Sequence, residues 1–249
     1  MFTTLIISTS FLVLLTFLPL FPSDHWTIRV WEFPRLQIAV LLIINLLVIG
    51  GFYHQNLSYM AGMLVTNFVA LAYQIHWILP YTPIVQPMVP MNDSADPKRS
   101  IKIINSNVLM TNHDAPKLLK LVDQEKPHIL VTLETNQWWQ DALSPLHDDY
   151  PYRVNFPLEN LYGMHVFSRL PLSDIKTAER VEKGVPSVHC IATLESGEKI
   201  RCHFVHPAPP SPTENEEATE RDRELLGLAK EIANTDSETA LPIIVSGDL

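Results

Sequence analysis

Three stretches near the start of the chain, residues 2–21, 36–52 and 60–79, contain no Asp, Glu, Lys or Arg. Each is close to the roughly 17–25 residues a helix needs to cross a hydrocarbon core, and a helix crosses because its backbone groups bond to one another. Aromatic residues stand where headgroups would lie: Trp26 and Trp31, Tyr53 and Tyr59, Trp77 and Tyr81. The expectation is three transmembrane helices within residues 1–81 and a multi-pass protein in contact with a lipid bilayer. A cleaved signal peptide is the alternative for the first stretch, but it lacks a basic leading segment and a small-x-small cleavage site before Ser23. A buried soluble bundle is disfavoured because such helices carry a polar stripe. Asn67 and His76 of the third stretch read as packing residues.

Charge separates this region from the rest. The first hundred residues hold four acids (Asp24, Glu32, Asp93, Asp96) and four bases (Arg29, Arg35, Lys98, Arg99), so the net charge of −9 falls on the remainder. Prolines 80, 83, 87, 90 and 97 deny a helix its donors and favour extended chain, which makes 82–100 a Pro-rich linker.

From residue 101 onward, β-branched runs alternate with helical patterns, as in an α/β domain. Strands are expected over 101–109, 128–133, 152–155, 164–168, 188–194, 199–205 and 243–246. Helices are expected over 114–124, with Asp114 as N-cap, and over 214–233, where Thr213 and Glu216 form a capping box. Strand, crossover helix and second strand imply a parallel pair. Residues 195–197 read as a three-residue turn pairing Leu194 with Glu198, which sets Cys190 opposite Cys202. That register permits a cross-strand disulfide; two small hydrophobes in a reduced hairpin are the equal alternative.

The chain has no Walker loop, GxGxxG, CxxC or HExxH motif. Instead, a dispersed polar set falls at strand ends: Asn107, Glu134, His206 and Asp248. In an open α/β sheet, the crevice beyond the carboxyl ends of the strands is where ligands bind. Taken singly, each residue has a structural explanation as turn former, helix-start acid or strand-end hydrogen bonder. Together, two carboxylates and an Asn carbonyl supply hard oxygen ligands for Mg²⁺, and a His can hydrogen-bond a phosphoryl oxygen.

The segments IINSNVL around Asn107, ILVTLETN around Glu134, YGMHVFSRLPL over 162–172, FVHPAPP around His206 and PIIVSGDL at the end, in that order, resemble the endonuclease/exonuclease/phosphatase superfamily, of a membrane-anchored bacterial type. The resemblance implies part of a four-layer α/β sandwich and Mg²⁺- or Mn²⁺-dependent hydrolysis of a phosphodiester or phosphomonoester. By position, Glu134 corresponds to the metal-binding carboxylate and Asn107 to the Asn that assists metal or phosphate. His206 corresponds to a catalytic strand-end His, and Asp248 to the Asp that orients the attacking water. The family's later Asp and Ser-Asp-His segments have no counterpart before Leu249, so the expectation is an incomplete domain over 101–249, an inactive fragment of an intact enzyme.

The acidic balance disfavours bulk duplex binding, which calls for a basic face. Arg153, Arg169, Arg201, Arg221 and Arg223 are available for a local phosphate site, surface ion pairing being the alternative for each; Arg169 and Arg221 are the substrate-binding candidates. A lipid headgroup, a small phosphoester or nucleic acid is the expected substrate class, with no obligate protein partner. Arg29, Arg35, Lys98 and Arg99 argue for a cytoplasmic domain by the positive-inside rule, whereas a Cys190–Cys202 bridge argues for an oxidising compartment; the second argument places the domain outside the cytoplasm, in the periplasm. A non-catalytic binding or scaffold protein on the same fold is the competing function.

Overall fold

The computed structural model describes residues 2–51, 57–87, 96–209, 217–234 and 241–249. The chain divides into two compact units, one of residues 1–92 with 210–218 and one of 93–209 with 219–249.

In the first unit, α1 (Phe2–Phe17), α3 (Arg35–Gly51) and α4 (Leu57–Ile78) pack together, with a short α2 (Trp26–Arg29) before α3. Buried positions recur at alternating spacings of three and four: 5, 9, 12 and 16 on α1; 38, 42, 45 and 49 on α3; 60, 63, 67, 70 and 74 on α4. This is the seam that lets adjacent helices interlock. The seam contains Thr9, Thr16, Asn45, Asn67 and Gln74. Asn45 Nδ2 donates to Thr9 Oγ1 (2.9 Å) and to Asn67 Oδ1 (3.0 Å), and Asn67 Nδ2 reaches Thr9 Oγ1 (3.1 Å), so one network joins three helices. Outward faces carry Ile7, Phe11, Leu47, Val65 and Phe68, all exposed. Polar inside and apolar outside is the reverse of what water selects.

Two helical stretches, Phe2–Leu20 and Tyr59–Tyr81, are long and apolar enough to cross a membrane. The middle one, Arg35–Gly51, has the expected 17 residues and bends by 71° from the preceding Trp26–Glu32. Pro34 marks the break, since its ring cannot continue a helix through that point.

The second unit contains two four-stranded sheets. The first has the order β1-β2-β4-β3, built from β1 (Ile103–Asn107), β2 (Ile129–Leu133), β3 (Tyr152–Phe156) and β4 (Met164–Ser168). The second has the order β5-β6-β7-β8, from β5 (Leu172–Ala178), β6 (Ser187–Thr193), β7 (Lys199–Val205) and β8 (Ile243–Gly247). β1 runs parallel to β2 through α5 (Ala115–Glu125), and β7 runs parallel to β8 through α7 (Thr219–Ala233); the remaining pairs are antiparallel.

Alternate residues decide what each face meets. Ile129, Val131, Leu133 and Val166 of the first sheet face Val188, Cys190, Cys202 and Phe204 of the second in one buried cluster. Leu130 and Phe167 point the other way, into a cluster with Leu118 and Val122 of α5 and with Trp139 and Leu143. On the far face of the second sheet, Arg180 pairs with Glu231 of α7. The layers are therefore helix, sheet, sheet, helix.

Two expectations change. The helix expected from 214 begins at Thr219, because Glu217 bridges to His25 and the Ala218 N–H donates to Asp24 O at 2.8 Å; Thr213 and Glu216 lie outside the described residues. The linker is not extended throughout its described residues, 88–95 lying outside them: a short 3₁₀ turn occupies Pro97–Arg99, and Arg99 forms a two-pronged pair with Glu198 at 2.8 and 2.9 Å. The hairpin register is as expected, with Cys190 opposite Cys202, but the two buried thiols are free. Cys190 is held protonated by its hydrogen bond to Cys202 and by burial.

Candidate active site

Parallel pairing determines which side chains meet. Asn107, the last residue of β1, pairs in register with Leu133, so Glu134 emerges beside it at the same end of the first sheet. In the second sheet Val205 pairs with Gly247, which brings His206 and Asp248 to one end. The Asn107 amide links the two sheets: Nδ2 donates to Glu134 Oε1 at 2.7 Å and to Asp248 Oδ2 at 3.1 Å, while Oδ1 accepts from the Leu109 N–H at 3.1 Å.

Two anions are thus gathered around one neutral amide. Glu134 Oε2 is buried and lacks a hydrogen-bond partner, which costs free energy unless a cation or donor satisfies it. The backbone of Glu134 is also in the left-handed region, at φ 60°, a conformation that costs a side-chain-bearing residue about 1 kcal/mol. Glu134 and Asp248 offer hard carboxylate oxygens, the donor type that suits Mg²⁺ or Mn²⁺. Among the described residues, no group of three or more His, Cys, Asp or Glu gathers as a metal site. Any cation held here would rest on Glu134, the Asn107 amide and water, with Asp248 beside it.

Two glycines fix the loops behind these acids. A Cβ on Gly247 would lie 1.7 Å from Val205 O, and one on Gly163 would lie 1.7 Å from Thr135 O. Thr135, next to Glu134, is itself pinned: its N–H donates to Gly163 O, and its hydroxyl bonds His165 Nδ1. Complete burial pushes His165 down to about 4, so it stays neutral and holds Thr135 in place. Neither glycine nor His165 carried a role in the sequence reading, although all three fall in or beside segments that bear the resemblance.

His206 follows β7, is buried, and rests against the Tyr162 ring with centroids 5.3 Å apart. Arg169 is not brought to this end. It follows β4, which runs antiparallel to β2, so it lies beyond the Ile129–Ser168 pair, about 13 Å of strand from the Leu133–Met164 pair. There its N–H donates to His128 O at 2.9 Å, and its guanidinium lies 4.9 Å over the Tyr150 ring. Arg221 sits in the first turn of α7 with its guanidinium on Asp222 at 3.2 Å, so its charge is already balanced. Neither arginine joins the Asn107 cluster in a hydrogen bond.

A family model described as "Endonuclease/Exonuclease/phosphatase family" matches residues 104–248. No curated protein matches the chain. Solved structures with a similar fold include humanized D. rerio TDP2, at 15% identity and TM-score 0.50, covering 60% of this chain and 62% of that one. D. rerio TDP2 complexed with a single-strand DNA product matches at 14% identity and TM-score 0.50, covering 60% and 61%. C. elegans TDP2 matches at 11% identity and TM-score 0.50, covering 86% and 66%. The chain thus spans about three fifths of the length of the first two. The family match runs the length of the second unit and includes Asn107, Glu134, His206 and Asp248, so the chain belongs to the endonuclease/exonuclease/phosphatase family, whose members are hydrolases acting on phosphoesters.

Proposed function

We propose that the protein is a membrane-anchored, divalent-metal-dependent phosphoesterase. One observation carries the reading: a single amide joins acids from two sheets, and one of those acids keeps a buried oxygen without a partner. Glu134, assisted by Asn107, would hold Mg²⁺ or Mn²⁺. When bound, the ion supplies Lewis-acid polarisation of a phosphoryl oxygen. Asp248 accepts a proton from the attacking water and orients it, while His206 hydrogen-bonds a phosphoryl oxygen. The left-handed backbone at Glu134 and the neutral His165–Thr135 pair keep the first carboxylate in place. Such preorganised placement is where most of the rate gain in phosphoryl transfer arises.

The inverted polarity of the helical unit supports insertion in a bilayer, where apolar faces meet acyl chains and the Thr9–Asn45–Asn67 network is satisfied internally. The location outside the cytoplasm rests on the register that sets Cys190 opposite Cys202, where an oxidising compartment would let the two free thiols bridge. A cysteine placed at exposed Ser196 in a Cys190→Ser/Cys202→Ser background tests it: a membrane-impermeant maleimide applied to intact cells labels it if the domain is outside, and only after lysis if it is not. The acidic domain supports a lipid headgroup or small phosphoester over duplex nucleic acid, although one protein of similar fold was solved with a single-strand DNA product.

The deciding experiment uses the full-length protein in detergent with bis(p-nitrophenyl) phosphate, single-stranded DNA, phospholipid and sugar phosphates, under Mg²⁺, Mn²⁺ or chelator. Metal-dependent turnover is expected, with Glu134→Gln lowering kcat/KM by about 10² or more while the thermal transition persists. Turnover insensitive to chelator, or unchanged in Glu134→Gln, would falsify the reading.

A further inference from the structure

Beside the Asn107 cluster, between β1 and α5, lies a cavity of about 490 Å³. Its size falls within the roughly 300–1,000 Å³ of small-molecule sites. Asn107 forms part of its wall, so the cavity adjoins the residue that joins Glu134 and Asp248. Trp139 lines it as well, and α6 (Gln137–Ala142) fixes that residue: the Asn136 side chain accepts from the Trp139 N–H at 3.2 Å, two residues after Glu134. Trp139 is only 1% exposed, yet its indole N–H is buried without an acceptor. A buried donor left unmade costs about 1–3 kcal/mol, so the position gains if a ligand oxygen enters.

Charge gives that ligand its chemistry. Lys117 and Lys120, one turn apart on α5, both line the cavity, against Asp114 as its single acidic lining residue. In a domain that holds the whole net charge of −9, this is a locally cationic recess. Asn112 and Gln124 add amides to the same wall.

We propose that the cavity is an anion subsite taking a second phosphate, borne by the non-reacting part of the substrate. Lys117 and Lys120 bind that phosphate, and an oxygen of the same group accepts from the Trp139 indole. The assignment rests on the phosphoesterase reading for the reacting centre, which places the scissile phosphate beyond Asn107. It narrows the substrate class to phosphoesters with two phosphates, from a nucleotide or from a phosphorylated lipid headgroup.

Calorimetry on the full-length protein in detergent tests this without requiring turnover. The probes are thymidine 3′,5′-bisphosphate against thymidine 5′-monophosphate, and glycerophosphoinositol 4-phosphate against glycerophosphoinositol. At least one bisphosphorylated compound is expected to bind tenfold or more tighter than its counterpart, and the pair that shows the preference identifies the source. Lys117→Ala/Lys120→Ala, two changes at exposed positions, is expected to remove the preference. Trp139→Phe, which keeps the ring and loses the donor, is expected to reduce it about threefold. No preference in either pair, or a preference that survives loss of both lysines, overturns the subsite. A lysine-dependent preference in a protein that hydrolyses no phosphoester leaves the subsite standing and sinks the catalytic reading. Metal-dependent hydrolysis with no preference does the reverse.

Discussion

At the scale of the residue, Glu134 bears costs that its fold does not require. Its backbone is left-handed and its carboxylate sits close to that of Asp248 around one amide. Glu134→Gly removes both burdens, so it is expected to raise stability by about 1 kcal/mol while abolishing metal-dependent turnover. Chemical denaturation beside an activity assay checks this, and a destabilised variant would mean that the side chain serves the fold. Gly247 is the opposite case. Any side chain there collides with Val205 O, so Gly247→Ala is expected to shift β8 and Asp248, costing ~2–4 kcal/mol and most of the activity. A melting curve within about 2 °C of the unmodified protein would contradict it.

At the scale of the element, three helices are held by amides and threonine hydroxyls in a seam otherwise made of Leu, Ile, Met and Ala. Asn67→Leu leaves Asn45 and Thr9 each short of a partner on α4, and measured interhelical bonds of this kind average ~0.6 and reach ~1.7 kcal/mol. Unfolding in mixed micelles is expected to show a loss in that range, with Val65→Leu on the exposed face as a silent control. The sequence made the three helices visible through their lack of charge, and seven of the eight strands of the other unit through β-branched runs. The rest was hidden for identifiable reasons. β5 reads LSDIKTA, and an irregularity between Ser173 and Lys176, with Asp174 at φ 48°, breaks the alternation that marks a strand. α6 spans six residues, too few for a helical period to show. The place of Arg169 was hidden because strand direction leaves no mark on composition: parallel crossovers carry Asn107, Glu134, His206 and Asp248 to matching ends, whereas antiparallel β4 carries Arg169 to the other end of its sheet.

For the second unit as a whole, buried histidines set the response to acid. Burial holds His165 near 4, and burial together with Arg180 and His203 does the same to His189, whose Nδ1 lies 2.7 Å from Nδ1 of His203. The unfolded chain titrates near 6.5, so between about pH 4 and 6.5 it binds more protons than the folded one, and stability rises with pH across that window. Denaturation midpoints are expected to be flat above pH 7 and to fall steadily below 6.5; His165→Asn is expected to flatten part of that slope. A midpoint unchanged from pH 7 to 4.5 would contradict this. The Asn107 bridge has a temporal consequence as well. The amide and its second acid are 141 positions apart, so a ribosome must release everything from β1 to β8 before the pair can close. On the proposed chemistry, a half-translated chain has no competent centre, and phosphoester cleavage cannot start before synthesis has passed the eighth strand.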